Sequence, residues 1–138
     1  MPTVHVDLHR ELFDAKGAAI SRAIHEGLIE GLDMPADDLF QVFSPREPGE
    51  MYFSRDFGGV DRQDLVFLRI TMAHMFDTDT KRRMYAALVR HLEGAGVRRE
   101  DLLVSVVEVG FEDWYAGGPV AGEVPALRGA QHREEGQR

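Results

Sequence analysis

Two stretches of this chain carry the same order of elements at a fixed offset. Asp38-Leu39-Phe40-Gln41-Val42-Phe43 aligns with Asp101-Leu102-Leu103-Val104-Ser105-Val106 at a shift of 63 residues, and the same shift carries Pro2 onto Leu65. Each half reads as strand, helix, strand. In the first, Pro2 to Leu8 alternates with period two, setting Val4, Val6 and Leu8 against Thr3, His5 and Asp7. From about Glu11 to Leu32 the period becomes helical, with Phe13, Ile20, Ile24 and Leu28 on one stripe and Gly17 a mild blemish. Met34-Pro35 ends that helix, and Leu39 to Phe43 has the aromatic and branched content of a strand.

In the second half, Leu65 to Ala73 is the strongest strand, with Val66, Leu68, Ile70 and Met72 on one face and Phe67 on the other. It is expected to be central and covered on both faces. Asp77 or Thr78 caps a helix running to about Glu93, with Met84, Leu88 and Leu92 on its buried stripe and Gly94-Ala95-Gly96 at its end. Leu102 to Val109 is the last strand. Between the halves, Ser44 to Asp64 is punctuated by Pro45, Pro48-Gly49 and Gly58-Gly59, with Met51-Tyr52-Phe53 predicted to form a small hairpin.

The pattern predicts an α+β fold in which tandem-duplicated β-α-β units form a four-stranded sheet with two helices on one face, because each helix must bury its stripe against the strands it joins. One domain spans 1–122, with halves of about 2–63 and 64–122, and 123–138 is a flexible C-terminal tail without an apolar stripe. The uncovered sheet face calls for an oligomer that packs sheets inward.

Charge and composition remove several classes of function. The 16 basic and 24 acidic residues leave a net charge of −8, the wrong sign for a protein that wraps phosphate backbones, so nucleic acid is not expected as a partner. No cysteine is present, which excludes disulfides, thiolate nucleophiles and zinc ribbons. The apolar runs are far too short for a membrane span, and the N-terminus does not read as a secretion leader, so a soluble cytoplasmic protein is expected. His5 and His9 lack the spacing of a shared metal site, His25-Glu26 lacks the second histidine of a zincin, and Gly58-Gly59 and Gly117-Gly118 are turns without a nucleotide pattern. No metal or cofactor is expected.

The chemically informative residue is Pro2. Loss of the initiating methionine would leave it a free secondary amine at the head of a strand. An ordinary α-amino group titrates near about 8, and an apolar pocket disfavours its charged form, so such an amine can act as a general base near neutral pH. Met-Pro is also simply a start that permits methionine removal.

Around Pro2, an ordered set of segments resembles the tautomerase superfamily in its long, duplicated form, and within it the malonate semialdehyde decarboxylase group. The set comprises Met1-Pro2, Asp7-Leu8, Pro35-Ala36-Asp37-Asp38-Leu39-Phe40-Gln41, Pro48-Gly49-Glu50-Met51, Lys81 with Tyr85 and Leu88, Glu100-Asp101-Leu102, Val107-Glu108 and Asp113-Trp114, spanning Pro2 to about Gly122. The resemblance implies a β-α-β fold, a homotrimer, and an N-terminal proline acting as acid, base or nucleophile without a cofactor. It implies a catalytic role for Pro2 and an assisting or water-orienting role for Asp38, which turn chemistry explains equally well. Trp114 is matched to an aromatic pocket wall, with core or interface packing as the competing reading.

The decarboxylases of that group carry an Arg-x-Arg after the strong strand, where this chain reads His74-Met75-Phe76. A bidentate guanidinium has no apolar equivalent, which argues against dicarboxylate substrates. His74 can instead donate to a carbonyl or enolate or shuttle a second proton, and Phe76 makes the site greasier. Arg46 and Arg55 lie in the hairpin region and could reach a pocket by another route, but each is read first as a solvated loop residue. The expected reaction is keto-enol tautomerisation of a 2-keto acid or related enol with Pro2, Asp38 and His74 as catalytic residues and Phe76 and Trp114 against the substrate. The alternatives are decarboxylation or hydration of a small 3-oxo acid, and a noncatalytic ligand-binding module.

Overall fold

A computed structural model describes residues 1–118; the tail expected over 123–138 lies outside the described residues. The elements are β1 (Thr3–His9), α1 (Arg10–Leu32), β2 (Gln41–Arg46), β3 (Val66–Ala73), α2 (Thr78–Gly94) and β4 (Leu102–Val109), with short 3-10 turns at Arg99–Asp101 and Phe111–Asp113. The sheet order is β2-β1-β3-β4. Each half contributes a parallel pair, and β1 and β3 meet antiparallel, with Val4 opposite Ile70 and Val6 opposite Leu68. The duplication is thus a rotation in space, each β-α-β unit being completed by its copy.

Both helices lie on one face. There Val4, Val6 and Leu8 of β1 and Val66, Leu68, Ile70 and Met72 of β3 are fully buried against Ile20, Ile24 and Leu28 of α1 and Met84, Leu88 and Leu92 of α2. The glycines of α1 set the spacing of the two helices. A Cβ at Gly27 would lie 3.0 Å from the Leu88 Cα, and one at Gly31 would lie 2.5 Å from the Met84 Cα, so α2 packs directly on the α1 backbone. Gly17 has a related use. The half-buried Phe13 ring lies over it, 2.8 Å from where a Cβ would be, and meets Phe43 of β2 with ring centroids 5.5 Å apart. Asp77 caps α2, its carboxylate accepting the Thr80 N–H at 2.8 Å, and Gly96 with φ 87° turns the chain toward β4.

Three expectations require correction. The second strand begins at Gln41, later than expected, and runs through Pro45, because β2 is an edge strand whose outer side needs no N–H donor. Leu39 and Phe40 precede it and are half exposed, although the Phe40 carbonyl accepts the Val4 N–H at 3.0 Å. Met51-Tyr52-Phe53 forms no hairpin strand; Arg62 organises this loop instead, its backbone N–H reaching the Arg55 carbonyl and its guanidinium the Ser54 and Phe57 carbonyls. Finally, β3 is interior to the sheet but covered on one face only, since Arg69 is exposed and Phe67 and Thr71 are half-buried on the open side.

Candidate active site

The topology gathers the chemically interesting residues at one end of the sheet. β1 and β2 begin there and β3 and β4 end there. Thr3 lies opposite Thr71 and Val4 beside Gln41, so Pro2 sits between the entry to β2 and the exit of β3. Pro2 is buried. Asp38, in the turn before β2, brings its carboxylate Oδ2 to 3.6 Å from the Met1 amine, both groups being 11% exposed. Its other oxygen, Oδ1, is buried without a hydrogen-bond partner. A buried lone pair left unused is costly and therefore informative.

The second half provides an internal control. Asp101 stands 63 residues after Asp38, is 5% exposed, and accepts the Gln63 backbone N–H at 2.7 Å. In both halves this aspartate lies near the chain that enters the first strand of its unit, Asp101 on the Gln63 peptide N–H and Asp38 beside the Met1 amine.

His74 follows β3, its N–H donating to the Val109 carbonyl at 2.8 Å, and its ring projects outward with its Nδ1 on Glu108. Phe76 is half-buried, packed against both the main core and a small cluster of Ala73, Met75 and Phe111. Trp114 lies beyond the turn that closes β4, half-buried, with its indole N–H enclosed and unpartnered.

Sequence reasoning assigned no role to Glu108 and Lys81. Glu108 Oε1 accepts from Lys81 Nζ while Oε2 meets His74, so one carboxylate joins the end of β3, the end of β4 and the start of α2. A signal was available, because Glu108 continues the helix-side series Leu102, Val104, Val106, where an apolar residue is expected. The contact from Lys81 is the main influence holding the Glu108 carboxyl below its usual range, against the opposing effect of burial and with help from His74. A carboxylate depressed in the folded state stabilises the fold above its unfolded pKa and loses that contribution as pH falls through the folded value. We therefore expect wild-type stability to fall as pH drops below the ordinary value of 4.5, and to fall less in Glu108→Gln. Urea midpoints measured across that range check the difference.

Arg46 and Arg55 lie elsewhere, and only Arg55 is the exposed loop residue expected; Arg46 is a half-buried strand residue that reaches a cavity. Arg46 closes β2 and donates to Asp7 at 2.9 Å, and Arg55 stands over the Phe53 ring at 5.4 Å. Arg46 lines a cavity of about 720 Å³ with Tyr52, Phe53, Phe57, Phe67 and Leu103, at the opposite end of the open sheet face from Pro2. No helix among the described residues is long and apolar enough to cross a membrane, and no group of three or more His, Asp or Glu among them could hold a metal ion.

Residues 38–117 match the family model described as a tautomerase enzyme. The chain belongs to the tautomerase family. Among curated relatives of this tautomerase-family chain, a probable tautomerase of Bacillus subtilis (strain 168), YusQ, is 29% identical over 119 residues, covering 85% of this chain and 94% of the relative. Among solved structures, the FG41 malonate semialdehyde decarboxylase inhibited by 3-bromopropiolate superposes with a TM-score of 0.81 at 27% identity, over 88% of this chain and 94% of that one. A second malonate semialdehyde decarboxylase, whose structures were described as a basis for decarboxylase and hydratase activities, gives 0.80 at 27% identity over 87% and 94%. The four-stranded sheet with both helices on one face is thus the tautomerase arrangement.

Proposed function

We propose that this chain is a cofactor-independent keto-enol tautomerase acting on a 2-keto acid or related enol, with the Pro2 nitrogen, freed by removal of Met1, as its general base and acid. The observation that carries this reading is the Asp38 carboxylate, which lies 3.6 Å from the Met1 amine, one residue ahead of the Pro2 nitrogen, with one oxygen buried and unused. In its neutral form the Pro2 amine takes the proton alpha to the carbonyl, and the C–H electron pair becomes the enolate double bond as charge moves to oxygen. Asp38 steadies the ammonium so formed. His74 serves the oxygen end, with Phe76 and Trp114 enclosing an apolar substrate body. The ketonisation of enol phenylpyruvate, followed in the ultraviolet with protein whose intact mass lacks methionine, tests the reading. A rate equal to that of buffer alone sinks it.

The likeness to malonate semialdehyde decarboxylases supports a second reading, decarboxylation or hydration of a small 3-oxo acid. Carbon dioxide release from malonate semialdehyde by a protein inert toward enol phenylpyruvate would favour it. The His74-Met75-Phe76 segment, which lacks paired guanidinium groups, weighs for the tautomerase.

We further propose a homotrimer closed by the open sheet faces, with a small-molecule keto or enol substrate as the other partner. Val42, Leu103 and Val107 are 42–54% exposed on that face, which no helix covers. Light scattering is expected to give three times the chain mass, and Val107→Glu to give the monomer; a wild-type monomer at micromolar concentration refutes the assembly.

A further inference from the structure

His74 and Glu108 lie where β3 and β4 end side by side, and Lys81 reaches the same point from the start of α2. Glu108 is three-quarters buried between these partners, and among the described residues it is the side-chain acceptor for both His74 and Lys81. The causes that depress its pKa leave it ionised at neutral pH. An ionised carboxylate offers acceptor sites alone, so both partners must donate to it. Nδ1 of His74 therefore carries the hydrogen, and in the neutral ring Nε2 keeps its lone pair.

Resting on the tautomerase reading above, we propose that the Lys81, Glu108 and His74 chain fixes His74 as the Nδ1–H tautomer, making its Nε2 the acceptor for the hydroxyl proton of the enol substrate. During ketonisation the enol O–H bond breaks toward Nε2 and its electron pair forms the carbonyl. The carbon-carbon double bond then supplies the pair that takes a proton from the Pro2 ammonium. The products are the keto acid, a neutral Pro2 amine and a His74 imidazolium. The His74 side chain is 74% exposed, so it returns its proton to water directly, and Pro2 regains one from solvent. Enolisation runs the same steps backward, with the imidazolium as donor. Glu108 and Lys81 are positioning residues, since they touch neither the substrate nor the moving protons. The substrate class is narrowed to enols bearing a free hydroxyl; an enol ether, which has no such proton, is not turned over.

Nitrogen-15 shifts of the histidine rings, with the His74 signals assigned by their loss in His74→Asn, read the tautomer without reference to turnover. The Nδ1–H form is expected in the wild type and a mixture in Glu108→Gln, whose single amide oxygen must serve two donors. For enol phenylpyruvate, kcat of that variant should fall on the order of tenfold with KM little changed. An Nε2–H ring in the wild type overturns the inference whatever the activity, and the wild-type spectrum decides this even if the variant fails to fold. A changed tautomer with unchanged kcat removes His74 from the proton path. An Nδ1–H ring in a protein that turns over no enol overturns the tautomerase reading and the proton-acceptor role while leaving the tautomer assignment standing.

Discussion

A variant with one lysine inserted between Met1 and Pro2 keeps its methionine and loses keto-enol turnover by about 10³-fold. The insertion turns the Pro2 nitrogen into a tertiary amide with neither a basic lone pair nor a hydrogen. It leaves β1 intact, because the first paired residue of that strand is Thr3. Pro2→Ala is milder. After methionine removal it still presents an amine, but a primary one on a more flexible residue, and a loss of about 10²-fold is expected. Circular dichroism and thermal midpoints matching the wild type separate lost chemistry from lost structure. Full activity in the inserted chain would show that the amine is not the base.

Gly31→Val is expected to cost more than about 3 kcal/mol of stability, the upper end of ordinary overpacking, out of a total of about 5–15 kcal/mol for a domain. The clash is with backbone: the added Cβ would lie 2.5 Å from the Met84 Cα, and no rotamer relieves that. Relief would require α2 to move away from α1, which exposes Met84 and Leu88. Gly94→Ala is the matched control. It lies in the last turn of α2 with nothing within 4 Å of its prospective Cβ, so removing the glycine is expected to gain about 0.5–1 kcal/mol through helix propensity. Urea midpoints should move in opposite directions, and similar midpoints for the two variants would refute the close helix contact.

The elements whose register depends on period were readable from the chain. β4 was expected over Leu102 to Val109 and is found there, and the four positions of β3 that its alternation gave are all buried, with Ala73 at its end a fifth. β2 was harder, because Leu39 and Phe40 are as apolar as strand residues but lie half exposed in the turn before it, and Pro45 looked like a breaker. Neighbours in space decide such an edge; local propensity does not. On α1, Gly17 looked like a blemish in a helix, and only the Phe13 ring shows its use, as only the position of α2 shows that of Gly27 and Gly31. At the candidate site, Pro2, Asp38 and His74 were identified from the residues and the resemblance, and the strand order places all three at one end of the sheet. Glu108 and Lys81 lie 27 positions apart and acquire meaning only when β4 and α2 bring them to His74.

The two aspartates at the heads of the repeated units have an evolutionary consequence. A covalently joined pair of repeats has one beginning, so whatever a free amine can do beside Asp38 is denied to the matching corner beside Asp101. On the role proposed for Pro2, the fused sheet carries one such corner, and at the other Asp101 holds a backbone N–H instead. A circular permutant opened ahead of Leu65 and closed through the natural ends would exchange the two roles, giving the second corner a terminus and taking it from the first.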